Sequence, residues 1–219
     1  MVDVYALDIE PLAKAEIFDF YYDKLSLFRR EKVDRAVLQK TKCLSLGAGI
    51  LIDAGLCEYG LSEKNAEYVL GPDGKPCFSN EKYKKIFFSV SHSEKKVICA
   101  FSEAPVGADI EFTGKNRKKI ADRFFCRSEC EYIQKGGDDR FYRVWTAKES
   151  YIKLFGKGMY FLSDFELDFE SKISVKSGRE AFFAEYFFEK EQETLYKICA
   201  CSEINEFCRE INIIKTENK

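Results

Sequence analysis

The order of the sequence patterns along the 219 residues predicts a mixed α+β fold. Polar and apolar residues alternate over residues 2–9, as in a short strand, and helical patterns follow from about Pro11 to Leu25 and from about Arg29 to Leu56. The centre of the chain is rich in strands, which we expect at 86–90, 97–101 and 106–112. A long helical pattern then precedes a last group of strands, predicted at 165–169, 173–175, 181–188 and 194–201.

A short internal repeat suggests that the fold has two similar halves. Segments 97–103 and 197–203 agree at five of seven positions, one hundred residues apart. A match of this length can also arise by chance. If it reflects a duplication, the halves are residues 1–104 and 105–219, joined near Ala104-Pro105, with a cleft between them.

The composition argues against a nucleic-acid-binding, disulfide-rich or membrane-spanning protein. With 35 basic and 37 acidic residues, the chain has no overall charge that favours nucleic acid. Nine cysteines without CxxC spacing predict free thiols in a reducing compartment rather than a disulfide framework. The N-terminus lacks the pattern of a signal peptide, and no apolar run approaches the ~20 residues that span a bilayer. We therefore expect a soluble cytoplasmic protein that binds neither nucleic acid nor membrane.

Ionisable residues interrupt the apolar stripe of the long helix. Lys148 falls within that stripe, and Glu149 and Lys153 lie one turn apart at its edge. Such exceptions are expected where a functional site is built. Two structural alternatives remain: the Lys148 stem can cover the core while its ammonium reaches water, and Glu149 and Lys153 can form an exposed ion pair. The apolar positions of the stripe are Phe141, Val144, Trp145, Ile152 and Phe155.

Two acidic residues alternate with apolar ones in the strand predicted at 106–112. Asp109 and Glu111 therefore point to one face while Ile110 points to the core. Any half-exposed strand can show this pattern. If Glu149 faces the same pair, however, three neighbouring carboxylates need a positive charge between them, and an all-oxygen ligand set suits Mg²⁺.

Three further places offer cations or donors suited to phosphate. His92, the only histidine, lies among serines, and Lys75 is held on a turn rich in glycine and proline. Arg29 and Lys32 share one face of a helix. Each has a structural alternative, because a lone histidine and a solvated basic helix start are both common.

The motifs, taken in order, resemble the 4'-phosphopantetheinyl transferases, specifically the long surfactin-synthetase (Sfp-like) type. The resemblance covers residues 70–168 strongly and the ends weakly. The G-x-D-I-E and W-x-x-K-E-x-x-x-K elements are its most specific parts. The matching segments are Gly74-Lys75-Pro76, residues 88–93, residues 106–111, Arg123-Phe124-Phe125, residues 145–153 and Gly156-Lys157-Gly158.

This resemblance implies a pseudo-twofold α+β monomer that holds coenzyme A in the cleft between two similar halves. It also implies a reaction. The phosphopantetheine arm of coenzyme A passes to a serine hydroxyl of an apo carrier protein, and adenosine 3',5'-bisphosphate is released.

The resemblance implies roles for the residues that match the family motifs. Asp109, Glu111 and Glu149 would hold Mg²⁺ against the pyrophosphate. Glu149 would also take the serine proton, directly or through a metal-bound water, and Lys153 would stabilise charge on the pyrophosphate oxygens.

The same resemblance implies contacts to the nucleotide. His92, Ser91 and Lys75 would bind its phosphates. Arg29 and Lys32 match the basic positions that meet the 3'-phosphate.

The sequence departs from the family pattern at two places. Members usually carry asparagine where Ser89 stands, and many carry an arginine in the segment matching 42–45, where Lys42 is a poorer bidentate phosphate ligand. We therefore expect altered contacts at Ser89 and weaker binding of coenzyme A. Lys148 matches a family lysine whose role the sequence leaves open.

A basic segment that ends in aromatic residues, Lys115–Phe125, is a candidate docking surface for an acidic carrier protein. The alternative is a solvated face with an ordinary core behind it. Two rival functions also remain: a non-catalytic relative that binds carrier proteins, and another Mg²⁺-dependent enzyme that acts on nucleotide phosphates.

Overall fold

The computed structural model describes residues 1–71, 73–113, 118–188 and 195–216, and it has the predicted α+β fold. The described helices are α1 (Ala15–Tyr22), α2 (Leu27–Arg35), α3 (Gln39–Cys57), α4 (Lys118–Phe124), α5 (Arg127–Gln134) and α6 (Gly137–Leu154). The strands are β1 (Asp3–Asp8), β2 (Tyr68–Leu70), β3 (Pro76–Phe78), β4 (Phe87–Ser93), β5 (Lys96–Ser102), β6 (Val106–Phe112), β7 (Glu166–Asp168), β8 (Ser174–Ser177), β9 (Phe182–Tyr186), β10 (Tyr196–Ser202) and β11 (Asn212–Ile213).

The strands form two main sheets and two hairpins. The first sheet has the order β11-β1-β5-β4 and the second the order β6-β10-β9, while β2-β3 and β7-β8 pair separately. Pairing is antiparallel except between β1 and β11. The C-terminal strand β11 therefore joins the sheet that the N-terminal residues build.

Side chains on the central strands alternate between two layers. On β5, Cys99 packs in the core beneath the N-terminal helices, whereas Ala100 packs in a core shared with the second sheet. On β10, Cys199 lies in the core beneath α6, whereas Ala200 lies in the shared core. The two sheets therefore pack against each other, and helices cover their outer faces.

The internal repeat occupies equivalent places in the two sheets. Strands β5 and β10 are each flanked by an antiparallel strand on both sides. At their ends, the hydroxyls of Ser102 and Ser202 accept hydrogen bonds from the backbone N–H two residues later, at 3.1 Å and 3.4 Å. This placement is consistent with two similar halves. The boundary at 104/105 stays a prediction.

The prediction of one helical region from Arg29 to Leu56 was wrong. The structure has two helices, α2 and α3, because Ala36 and Leu38 adopt extended backbone between them. Val37, at the break, is 92% exposed. No glycine or proline marks the break, which arises where the chain turns so that α2 and α3 pack on each other.

The turn between β4 and β5 lies later than predicted. Ser91, His92 and Ser93 belong to β4, and the chain reverses at Glu94, whose φ is +49°. Ser91 and Ser93 therefore face β6 as strand residues, whereas His92 is exposed on the other face of β4. All nine cysteines are described and none forms a disulfide. Within the described ranges, no helix combines the length and apolar character needed to cross a bilayer.

Candidate active site

Strand β6 passes directly beneath helix α6. A Cβ atom at Gly107 would lie 1.9 Å from the carbonyl oxygen of Ser150 and 2.4 Å from the backbone nitrogen of Leu154. Such distances exclude any side chain without a shift of the helix backbone. Gly107 therefore permits the approach that brings the strand carboxylates to α6.

Two hydrogen-bonded contacts link the acidic face of β6 to α6. The indole N–H of Trp145 donates to Glu111 Oε1 at 3.2 Å, and the ammonium of Lys153 donates to Asp109 Oδ1 at 2.6 Å. Trp145, Glu149 and Lys153 are spaced by four residues and share one side of the helix. The half-buried Glu149 thus projects from α6 one turn, about 6 Å, from each contact.

Asp109 combines burial with incomplete hydrogen bonding. Its side chain is 4% exposed, and Oδ1 accepts from Lys153 and from the Ser91 hydroxyl, the latter at 2.7 Å. Oδ2 is buried and has no hydrogen-bond partner among the residues that the structure describes. A buried carboxylate oxygen without a partner is costly, and a cation would satisfy it.

This oxygen and the neighbouring carboxylates fit the chemistry of Mg²⁺, which prefers hard oxygen ligands. As the side chains lie, no three Asp, Glu, His or Cys residues in the described ranges come together closely enough to hold a metal ion. Lys153 instead pairs with Asp109. Coordination of one ion by Asp109, Glu111 and Glu149 therefore stays a prediction.

Three serines at alternate positions of β4 face β6 from the other sheet. We call Ser89, Ser91 and Ser93 the serine row. The hydroxyls of Ser89 and Ser93 accept the backbone N–H groups of Ala108 and Phe112, each at 3.0 Å. Ser91 bonds to Asp109 at 2.7 Å and to Lys153 at 2.9 Å. The row therefore joins the first sheet to the acidic strand of the second sheet.

His92 lies on the opposite face of β4 from the serine row and is exposed. Desolvation by the surrounding protein, followed by the nearby charge of Lys153, lowers its pKa. The neutral imidazole, which carries one donor and one acceptor, is therefore favoured near neutral pH.

Lys75 ties the turn between β2 and β3 to the far end of the site. Its ammonium donates to the carbonyl oxygens of Val106, at 2.9 Å, and Lys153, at 2.7 Å. Burial lowers the pKa of Lys75 to about 8. One of its three N–H donors remains for a further acceptor.

A cavity of about 230 Å³ opens beside this lysine, between β4 and the C-terminal end of α6. Its wall combines the cations Lys75, Lys153 and Lys157 with apolar residues that include Pro76 and Val90. Cations beside an apolar surface suit a ligand with a phosphate and a flat ring. The complete lining is Asp73, Gly74, Lys75, Pro76, Phe88, Ser89, Val90, Lys153, Gly156 and Lys157.

Arg29 and Lys32 form a separate pair of cations on α2. Arg29 is 4% exposed, its Nε and Nη2 atoms lack hydrogen-bond partners, and its guanidinium lies 5.5 Å from the centre of the Tyr68 ring. Burial and the charges of Arg29 and Arg35 lower the pKa of Lys32. An anion bound here would accept hydrogen bonds from the open Arg29 donors and would offset the repulsion between the positive charges of Arg29, Lys32 and Arg35.

Lys148 has a structural role that the sequence left open. Its fully buried ammonium donates to both carboxylate oxygens of Glu129 at 2.9 Å and to the carbonyl oxygen of Phe165 at 3.0 Å. Sequence reasoning missed Glu129, although a lysine on an apolar stripe requires a buried acceptor somewhere. It also missed Ser93 and Trp145 as partners of Glu111.

Part of the predicted docking segment lies outside the described residues. Residues 114–117 and the side chains of 118 and 119 are not described. Arg123 is exposed, whereas Phe124 and Phe125 pack against the core beneath α6, with the Phe125 and Phe141 rings 5.9 Å apart. The two phenylalanines thus act at least partly as core, and docking stays a prediction.

The crossing of β6 and α6, with carboxylates on the strand and Glu149 and Lys153 on the helix, lies in the part of the chain that matches a known family. The sequence model of the 4'-phosphopantetheinyl transferase superfamily matches residues 105–201, which include β6, α6 and β10. The resemblance to this superfamily that was inferred from the motifs is therefore confirmed.

Individual relatives extend the similarity over almost the whole chain. The 4'-phosphopantetheinyl transferase Sfp of Bacillus subtilis (strain 168) is 28% identical over 98% of this chain and 98% of its own length. The 4'-phosphopantetheinyl transferase gsp of Aneurinibacillus migulanus is 29% identical over 92% of this chain and 86% of its own. The similarity to the 4'-phosphopantetheinyl transferase AcpT of Escherichia coli (strain K12) is partial, with 29% identity over 50% of this chain.

Proposed function

We propose that the protein transfers the 4'-phosphopantetheine group of coenzyme A to a serine of an apo carrier protein. The observation that carries the proposal is the buried, unpartnered Oδ2 of Asp109, whose other oxygen meets Lys153 of the helix that bears Glu149. The match to the superfamily model and the names of the relatives that align over most of the chain support the same activity.

In this reaction the serine oxygen attacks the phosphorus that bears the pantetheine group. The bond between that phosphorus and the bridging pyrophosphate oxygen breaks, and adenosine 3',5'-bisphosphate leaves. Glu149 accepts the proton of the attacking hydroxyl, because it is the half-buried carboxylate one turn from Lys153. Proximity and charge neutralisation supply most of the acceleration in such transfers.

Asp109, Glu111 and Glu149 would hold Mg²⁺, which when bound neutralises charge on the pyrophosphate. Lys153 supplies a second positive charge on the same side of the cleft. Its ammonium lies within 2.6 Å of Asp109 and 2.9 Å of the Ser91 hydroxyl, so it is oriented before substrate binds.

The remaining cations would bind coenzyme A. Lys75 and the cavity beside it provide a place for the nucleotide, with Ser91 and His92 near its phosphates. Arg29 and Lys32 would bind the 3'-phosphate, which would satisfy the open guanidinium donors.

The partner that we propose is an acidic carrier protein docked on Lys115–Phe125. The exposed guanidinium of Arg123 supports an electrostatic component. We further propose that the enzyme works as a soluble, cytoplasmic monomer.

Mass spectrometry of apo carrier proteins incubated with the full chain, coenzyme A and MgCl₂ tests this function. We expect the mass of the carrier to increase by one phosphopantetheine group, and EDTA to abolish the change. Release of nucleotide from coenzyme A without carrier modification would instead identify a phosphate-hydrolysing enzyme and overturn the proposal. Modification of the carrier that persists in EDTA would show that the transfer does not require Mg²⁺.

A further inference from the structure

Glu111 receives a hydrogen bond from each half of the molecule. From the N-terminal half, the Ser93 hydroxyl donates to Oε2 at 3.0 Å. From the C-terminal half, the indole of Trp145 donates to Oε1 at 3.2 Å. Both oxygens therefore have a donor, which restricts rotation of the carboxylate about its terminal bond.

The Ser93 hydroxyl is itself oriented by β6. It accepts the backbone N–H of Phe112 at 3.0 Å, so its own proton is directed away from that group and toward the carboxylate. Ser93 is 8% exposed, which limits competition from water. One hydroxyl thus fixes both the backbone beside Glu111 and the carboxylate of Glu111.

We propose that Ser93 is a positioning residue that holds the Glu111 carboxylate, across the boundary between the halves, in the orientation that binds the divalent cation. The inference rests on the metal site of the proposed function. The bonds from Ser93 and Trp145 use two of the about four acceptor sites of the Glu111 carboxylate. Partners that orient metal ligands in this way commonly change metal affinity by about 10- to 100-fold when removed.

The serine row contains a matched control for this role. Ser89 is 5% exposed, and its hydroxyl accepts the backbone N–H of Ala108 in β6 at 3.0 Å. The bond from Phe112 to the Ser93 hydroxyl has the same length. The hydrogen bond of the Ser89 hydroxyl is to backbone, and not to a carboxylate. Ser89→Ala therefore removes a comparable bond between the halves without removing a donor to Glu111.

Trp145, the only tryptophan of the chain, provides a readout that does not depend on activity. Because its indole donates to Glu111, its fluorescence should change when a cation binds there. We would titrate MgCl₂, without coenzyme A, into the full-length wild-type chain and the variants Ser93→Ala, Ser93→Thr and Ser89→Ala. Thermal unfolding of each variant without metal would measure the general loss of stability.

We expect a saturable change in the wild-type fluorescence, with a midpoint about 10-fold higher in Ser93→Ala. The midpoint should stay at the wild-type value in Ser89→Ala, and Ser93→Thr, which keeps the hydroxyl, should restore most of the affinity. Both alanine variants should lower the melting temperature to a similar extent.

Equal midpoints for Ser93→Ala and Ser89→Ala would overturn the inference, as would a wild-type chain without a saturable response. Either result is separable from failure of the proposed function, since carrier modification is measured independently by mass. A chain that modifies carriers but shows equal midpoints would keep the function and lose the positioning role of Ser93.

Discussion

Lys148 and Glu129 form an ion pair in which both side chains are fully buried and the ammonium lies 2.9 Å from each carboxylate oxygen. The Phe165 carbonyl accepts the third ammonium proton, and Glu129 also accepts the backbone N–H of Leu167 at 3.0 Å. The network joins α5, α6 and β7. The Lys148 side chain therefore lies fully in the core and does not reach water, whereas the next residue, Glu149, is half-buried at the candidate site.

Breaking this pair should destabilise the fold strongly. Lys148→Met leaves the Glu129 carboxylate buried without its cation, which should cost about 3–5 kcal/mol in the free energy of unfolding. Urea denaturation measures the loss. The double variant Lys148→Met, Glu129→Leu should recover much of it, because no charge is then left buried. A loss below about 1 kcal/mol in Lys148→Met would contradict the buried pair.

Gly107 should not tolerate even alanine. The added methyl would meet the backbone of α6 at Ser150 and Leu154, so strand and helix must separate. We expect Gly107→Ala to lower the free energy of unfolding by at least about 1–3 kcal/mol. Gly71→Ala is the control, because its nearest contact would be a carbonyl oxygen at 3.4 Å. Equal stability of the two variants would argue against the close crossing.

The buried environment of Lys75 should make stability depend on pH in a defined direction. Its folded-state pKa of about 8 lies below the ordinary value of 10.5, so between these values the unfolded chain binds the proton that the folded chain has released. Raising the pH through this window therefore favours the folded state. The melting temperature of wild type relative to Lys75→Met should rise from pH 8 to pH 10. A flat or falling difference would show that Lys75 is not desolvated.

Glu149→Gln should abolish transfer while the fold persists. The amide keeps the volume of the side chain but removes the proposed base and one proposed ligand. We expect a loss of at least about 100-fold in kcat. Circular dichroism and the melting temperature should match those of wild type. Turnover near the wild-type rate would exclude both roles of Glu149.

The sequence predicted features that depend on local periodicity. Alternation in β6 placed Asp109 and Glu111 on one face, and helical spacing placed Glu149 and Lys153 on one side of α6. The residues that match the family motifs could also be predicted, because a motif is recognised from the local spacing of its residues.

Features that depend on contacts between residues far apart in the sequence could not be predicted. Glu129 as the partner of Lys148, and Ser93 as a partner of Glu111, lie 19 and 18 residues away in sequence. The two-residue strand β11 has too few residues for a pattern and exists because β1 pairs with it. The interruption between α2 and α3 at residues 36–38 likewise arises from packing, since no glycine or proline lies there.

A crystal structure with MnCl₂ and coenzyme A would show whether Asp109, Glu111 and Glu149 share one divalent ion, since the anomalous signal of manganese locates the ion. We predict one ion coordinated by an oxygen of each of Asp109, Glu111 and Glu149, at about 2.0–2.2 Å, with the pyrophosphate on its open side. An ion bound elsewhere, or one that any of these three carboxylates does not contact, would contradict the account.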